Sequence, residues 1–140
     1  MNAAPQKELF NHWLSVVDVP QQNAEISIRI VDAEESAQLN LAYRGKQGPT
    51  NVLSFPMQVT LEDDYVLLGD LVICAPVMQS EAQAADCSEE SHWAHLTIHG
   101  MLHLLGYDHE TDEHANKMEA IEIDLLGQLG FSNPYSQVST

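Results

Sequence analysis

The sequence predicts an α+β fold, with about five helices packed on a small mixed sheet around a central helix that carries histidines. Three observations carry this. Segments with strand character fall in the first half of the chain and helical segments dominate the second. One helical segment, Glu89 to Leu105, is apolar on nearly every face, as a helix at the centre of a domain must be. The chain, at 140 residues, has the length of one domain and shows no internal repeat or linker, so residues 1–140 are taken as a single domain.

The elements follow in order. Gln6 to Val17 reads as a helix with Leu9, Phe10, Trp13, Leu14 and Val17 on one face, ended by Pro20. Ile26, Ile28 and Ile30 alternate with Ser27 and Arg29, the pattern of a half-buried strand. Asp32 then caps a helix that runs to about Tyr43, with Glu35 placed for a capping box. Val52 to Phe55 is a short strand stopped by Pro56, and an acidic loop follows at Glu62, Asp63 and Asp64. Val66 to Cys74 is a strongly apolar strand interrupted by Gly69 and Asp70, a pair that fits a bulge or a partner for a nearby ligand. Pro76 suits the first turn of a helix reaching about Ala85. Ser88 caps the long helix, and Gly106 closes it. A last helix spans about Asp112 to Leu129 and stops at Gly130; the polar tail from Ser132 is expected to fray.

Composition narrows the function. Five basic residues (Lys7, Arg29, Arg44, Lys46 and Lys117) face 21 acidic ones, a net charge of −16. Such a balance excludes a broad surface for nucleic-acid phosphates. It also makes Arg44 and Lys46, two apart beside a turn, conspicuous. Cys74 and Cys87 form no CxxC and are expected to be reduced, partly buried thiols. Residues 1–21 are amphipathic and contain Pro5 and Pro20, and no apolar run approaches the roughly 18 residues of a membrane span. A cytoplasmic protein without membrane contact is expected.

The chemistry concentrates on the long helix. His92, His95, His99 and His103 lie within a face of about 80°. Imidazoles on a buried helix need partners, and a metal ion is an efficient one. Histidines four apart sit about 6 Å apart along the axis and can chelate one ion, whereas His95 and His103 are about 12 Å apart and cannot easily share it. The third ligand decides between the pairs. Gly106 permits a sharp return of the chain, which brings His109 back beside the last helical turn. His99, His103 and His109 are therefore the expected metal ligands. Three neutral imidazoles leave Zn²⁺ an open position, the pattern of a catalytic rather than a structural ion. The peptidase motif HExxH places a Glu after its first His; here Gly100 stands there, which disfavours a peptidase using that mechanism.

The run HGMLHLLGYDH from His99 to His109 resembles the signature of the YbeY family of bacterial rRNA-maturation endoribonucleases. The likeness extends to YRGKQGPTNVLSFP (Tyr43 to Pro56), LLGDLVIC (Leu67 to Cys74) and HWAH (His92 to His95). The resemblance implies a sheet of about four strands beside the central helix. It implies a single-strand-specific, metal-dependent endoribonuclease acting in 16S rRNA 3′-end maturation and ribosome quality control. It implies rRNA as substrate, with ribosomal proteins and a ribosome-associated GTPase as partners, and no role for DNA. It carries one zinc ion to His99, His103 and His109, with His99 also in the catalytic set, and the family's arginine to Arg44. From the residues alone, Arg44 reads equally as a cation stabilising a helix C-terminus and as a clamp for phosphate oxygens; the likeness favours the clamp. Asp108 is a candidate acceptor for the His109 ring proton or a turn former. His95 is read as a core or supporting residue, Ser54 as a strand residue, His114 as an exposed helix-start group and Tyr107 as a packing residue. Two rival functions remain: a metal-dependent hydrolase of another substrate, and a non-catalytic ribosome-assembly factor whose metal is structural.

Overall fold

The computed structural model describes residues 5–19, 23–62 and 65–135. Pro20, Asp63, Asp64 and the tail beyond residue 135 lie outside the described residues. The elements run α1 (Lys7–Leu14), β1 (Ala24–Val31), α2 (Ala33–Arg44), β2 (Val52–Thr60), β3 (Val66–Cys74), α3 (Ala75–Ala84), α4 (Glu89–Leu104) and α5 (Asp112–Gln128).

β3 is the central strand of a mixed sheet ordered β1-β3-β2, parallel to β1 and antiparallel to β2. It is covered on both sides. Leu71 and Ile73 join Trp93, Ile98, Leu102 and Leu104 of α4 in the main core, while Val72 and Cys74 pack with Val31, Leu53 and Leu39 toward α2. The period-2 alternation of a strand thus feeds two layers, and the continuous apolar run of β3 follows from burial on both faces. α4 lies against β2 and β3 on one side and against α1, α3 and α5 around the rest. Nine of its residues are buried, including Trp93, Ile98 and Leu104.

The described residues contain three strands rather than four. Only three segments carry strand periodicity, and those are the three that pair; the fourth came with the family likeness and has no segment of its own here. β2 also continues past Pro56 to Thr60. A proline stops a central strand by removing a ladder donor, but β2 is at the edge of this sheet, and its register shifts between Pro56 and Val59, where Gln58 adopts φ 54°. The Gln58 side-chain amide then donates to the carbonyl of Leu104, 3.0 Å away, so the irregularity ties the edge strand to the end of α4.

The second irregularity is the one expected at Gly69. The β1–β3 register slips by one residue there, and Gly69 has φ 152°. A Cβ at this position would sit 2.3 Å from the Phe55 carbonyl oxygen and 2.8 Å from Leu104 Cδ2. Asp70 follows the bulge in regular register, opposite Ser27 and Phe55, on the strand face shared with Val72 and Cys74. The caps form largely as read. Asp32 accepts from Glu35 N–H at 2.8 Å and Ser88 from Ser91 N–H at 3.0 Å; α5 has a cap that the sequence reading did not single out, Thr111, accepting from His114 N–H at 3.1 Å. The capping box is half formed, because the Glu35 carboxylate pairs with Arg29 of β1. Both cysteines are free; Cys74 is buried, but Cys87 is exposed rather than partly buried, since it lies in the turn before α4.

The Gly69→Ala substitution is expected to cost about 2–4 kcal/mol, because the new methyl meets backbone that cannot swing aside. Urea denaturation of the two proteins measures it.

Candidate metal centre

α4 ends in a turn that brings the site together. Gly106 N–H donates to His103 O and Tyr107 N–H to Leu102 O, both at 3.0 Å, with Gly106 at φ 104°. This is a Schellman closure, and it requires the left-handed residue that glycine supplies. The chain reverses, and His109 comes back against the last turns of the helix. Its ring lies 5.6 Å from that of His99, nearly parallel at 21°, and 5.0 Å from that of His103.

One ring nitrogen each from His99, His103 and His109 lies within 4.8 Å of the others. The His99 and His103 Nε2 atoms are 3.2 Å apart, close to the roughly 3.3 Å separating two nitrogens on a tetrahedral zinc. The donor set therefore fits a metal ion. His103 has its pKa held below the ordinary histidine value, first by burial and then by the neighbouring His99 and His109. All three causes favour the neutral, ligating ring.

Behind His99 stands a residue that the sequence reading did not single out. Glu122 of α5 is fully buried. Its Oε2 accepts from His99 Nδ1 at 2.6 Å and its Oε1 from His95 Nε2 at 2.8 Å. Tyr135 donates its hydroxyl to the same Oε1. Burial opposes ionisation of Glu122, but the hydrogen bonds from His95, His99 and Tyr135 prevail and bring its pKa to about 2. Burial, then the hydrogen bond to Glu122, raises the Tyr135 pKa and keeps its hydroxyl a donor. A signal for Glu122 existed: Met118, Glu122, Leu125 and Leu126 form the buried stripe of α5, and a carboxylate in such a stripe needs donors. Tyr135 had no such signal. The first residues of the tail are consequently tied to the core, where fraying was expected.

The triad opens into a cleft of about 630 Å³ lined by Tyr43, Arg44, residues 50–56 and the three histidines. Arg44, exposed in the last turn of α2, faces the same space as the triad. The loop between α2 and β2 is fixed from beneath. Ser36 Oγ accepts from Thr50 N–H and donates to Thr50 O, both at 3.0 Å, and the Asn40 amide donates to Gly48 O at 2.9 Å. Lys46 is exposed in this loop and does not line the cleft. Ser54 does line it, with its hydroxyl 3.3 Å from Gly100 O.

The remaining candidates separate from the triad. His95 is engaged by Glu122. Asp108 does not serve His109: its Oδ1 accepts from Glu110 N–H at 3.1 Å and lies 3.0 Å from His114 Nδ1, so it forms the turn. Tyr107 lines a separate depression with Asp18, His114 and Lys117. Gly100 packs against the sheet. A Cβ there would meet Leu71 Cδ2 at 2.8 Å and Val52 Cγ2 at 3.3 Å. The position that carries the base in HExxH thus points into the core here, where a carboxylate has no room.

The family model Endoribonuclease YbeY matches residues 2–130. The chain belongs to the YbeY endoribonuclease family. The family signature coincides with the geometry, since the two ends of HGMLHLLGYDH are His99 and His109, joined through the Gly106 turn. Among solved structures, the chain is similar to TM1509 from Thermotoga maritima, determined in solution. The two are 25% identical with a TM-score of 0.50, and the match covers 96% of this chain and 85% of TM1509. Membership makes RNA the substrate class. Among the described residues, no helix is long and apolar enough to cross a membrane.

Ser36→Ala is expected to lose about 1–3 kcal/mol, since it strips two hydrogen bonds from a buried site. Faster proteolytic nicking between residues 45 and 51, alongside a lower urea midpoint, is the result to look for.

Proposed function

We propose that residues 1–140 act as one catalytic domain, a zinc-dependent endoribonuclease specific for single-stranded RNA. It works in the cytoplasm on 16S rRNA 3′-end maturation and in ribosome quality control. The observation that carries this is the convergence of Arg44 and the three histidines on one cleft in a chain of this family.

His99, His103 and His109 hold the ion. When bound, it supplies Lewis-acid stabilisation of charge on a phosphoryl oxygen. The residues of the chain do the rest. The Arg44 guanidinium binds non-bridging oxygens of the scissile phosphate and stabilises the charge that grows on them. Tyr43, exposed at the rim beside Arg44 and braced edge-on by Phe55 at 5.0 Å, offers a face on which an unstacked base can rest. A base already paired in a duplex cannot reach that face, which accounts for the single-strand preference. With a net charge of −16, the surface outside the cleft repels RNA. Contacts to ribosomal proteins and a ribosome-associated GTPase then position the substrate.

The test is cleavage of matched single- and double-stranded RNA, with metal analysis, on wild type, His103→Ala and Arg44→Ala prepared free of contaminating ribonucleases. Wild type should bind zinc and cut only the single strand. His103→Ala should lose both zinc and cleavage. Arg44→Ala should keep its zinc and lose roughly 100-fold or more in cleavage, the scale of removing one charge-stabilising donor. A folded His103→Ala variant that cuts RNA at the wild-type rate overturns the assignment, as does a wild type that merely unfolds on metal removal and never cuts RNA. RNA affinity should be weak and fall steeply on Arg44→Glu; tight binding that survives this change places the RNA elsewhere.

A further inference from the structure

Spacing alone entitles two histidine pairs on α4 to share an ion, His95 with His99 and His99 with His103. The tertiary structure gives one carboxylate to the first pair. Glu122 reaches the two rings through different nitrogens, Nδ1 of His99 at 2.6 Å and Nε2 of His95 at 2.8 Å. With the carboxylate as the acceptor on both sides, each of those nitrogens is placed to donate. The rings are then opposite tautomers. His99 is protonated at Nδ1 and bare at Nε2, the atom that lies 3.2 Å from His103 Nε2. His95 is then protonated at Nε2, its outer nitrogen, which faces Glu122 Oε1 and, at 3.0 Å, the Tyr135 hydroxyl.

We propose that Glu122 is the positioning residue of the metal centre, selecting His99 and rejecting His95 as a ligand by fixing the two rings in opposite tautomers. The inference rests on the reading of the triad as a metal site and adds to it the device that chooses its members. A proton donated by the far nitrogen of a ligating ring orients the ring and raises its basicity. Tyr135 completes the device. Its hydroxyl donates to Oε1, the oxygen that also holds His95, leaving Oε2 to His99. The chain reaches Glu122 from beyond Gly130, where a second glycine closure ends α5, with Phe131 N–H donating to Leu126 O at 2.9 Å.

The experiment uses the full chain, labelled with ¹⁵N at histidine and loaded with zinc at pH 8. Ring nitrogen shifts should show His99 protonated at Nδ1 and bound through Nε2. His95 should be protonated at Nε2 with neither nitrogen bound. Competition with a chromophoric chelator then compares wild type with Glu122→Gln, which keeps the shape but removes the two-sided acceptor. The variant should bind zinc roughly 10- to 100-fold more weakly, with the His99 Nδ1–H signal lost or shared between tautomers. A wild-type spectrum with His95 on the metal, or with His99 bound through Nδ1, overturns the proposal, and this outcome stands even where Glu122→Gln does not fold. Equal zinc affinity in a folded Glu122→Gln variant with unchanged tautomers overturns it too, while leaving the metal centre intact. A wild type that takes up no zinc sinks the metal centre itself, so the two failures are told apart.

Discussion

A helix buried on nearly every side must satisfy each polar group it carries from the elements around it, and α4 carries four imidazoles. The rest of the molecule is arranged around that requirement. Its apolar faces fill the core with Leu71, Ile73, Trp13 and Leu126 from three other elements. Its polar stripe is distributed among distinct partners: His92 to Glu81 of α3, His95 and His99 to Glu122 of α5, and His99 and His103 to the cleft. A buried polar group without a partner costs a few kcal/mol, so the neighbouring elements must place their acceptors correctly if α4 is to stay central.

The site is a consequence of this packing. The elements that satisfy the stripe are the ones that orient it. α5 brings the carboxylate behind His99, the Gly106 closure brings His109 in front, and the edge strand β2 forms the opposite wall of the cleft. The two irregularities of the sheet serve the same end. At Gly69 the absence of a side chain lets the end of α4 and the backbone of β2 approach closely, and at Gln58 the disturbed strand donates to the last carbonyl of that helix. Arg44 is delivered by a separate element, the last turn of α2, and the loop that follows it is fastened by Ser36 and Asn40. Three imidazoles from one helix and its turn, and a cation from across the cleft, line one space.

Charge has a complementary role. The acidic surface provides no general affinity for RNA, and Arg44 is the arginine or lysine that lines the cleft. A nuclease of this composition has little tendency to bind and cut RNA indiscriminately.

The sequence by itself determined the helices, their caps and the membership of the triad. These depend on local rules: residues four apart share a helix face, Asp32 and Ser88 offer an oxygen to a nearby N–H, and Gly106 tolerates the reversal that returns His109. Tertiary structure decided what depends on which element lies beside which. It gave the sheet three strands among the described residues, because strand count is a matter of pairing. It let β2 run through Pro56, because a missing donor is harmless at an edge. It turned Asp108 toward His114 and put Glu122, 23 residues from His99 in the chain, directly behind the His99 ring. Asp108 adjoins His109 in the chain and Glu122 is remote from it, yet the remote carboxylate is the one that reaches the triad. Hydrogen bonds form across packed faces, and the chain does not announce which faces will meet.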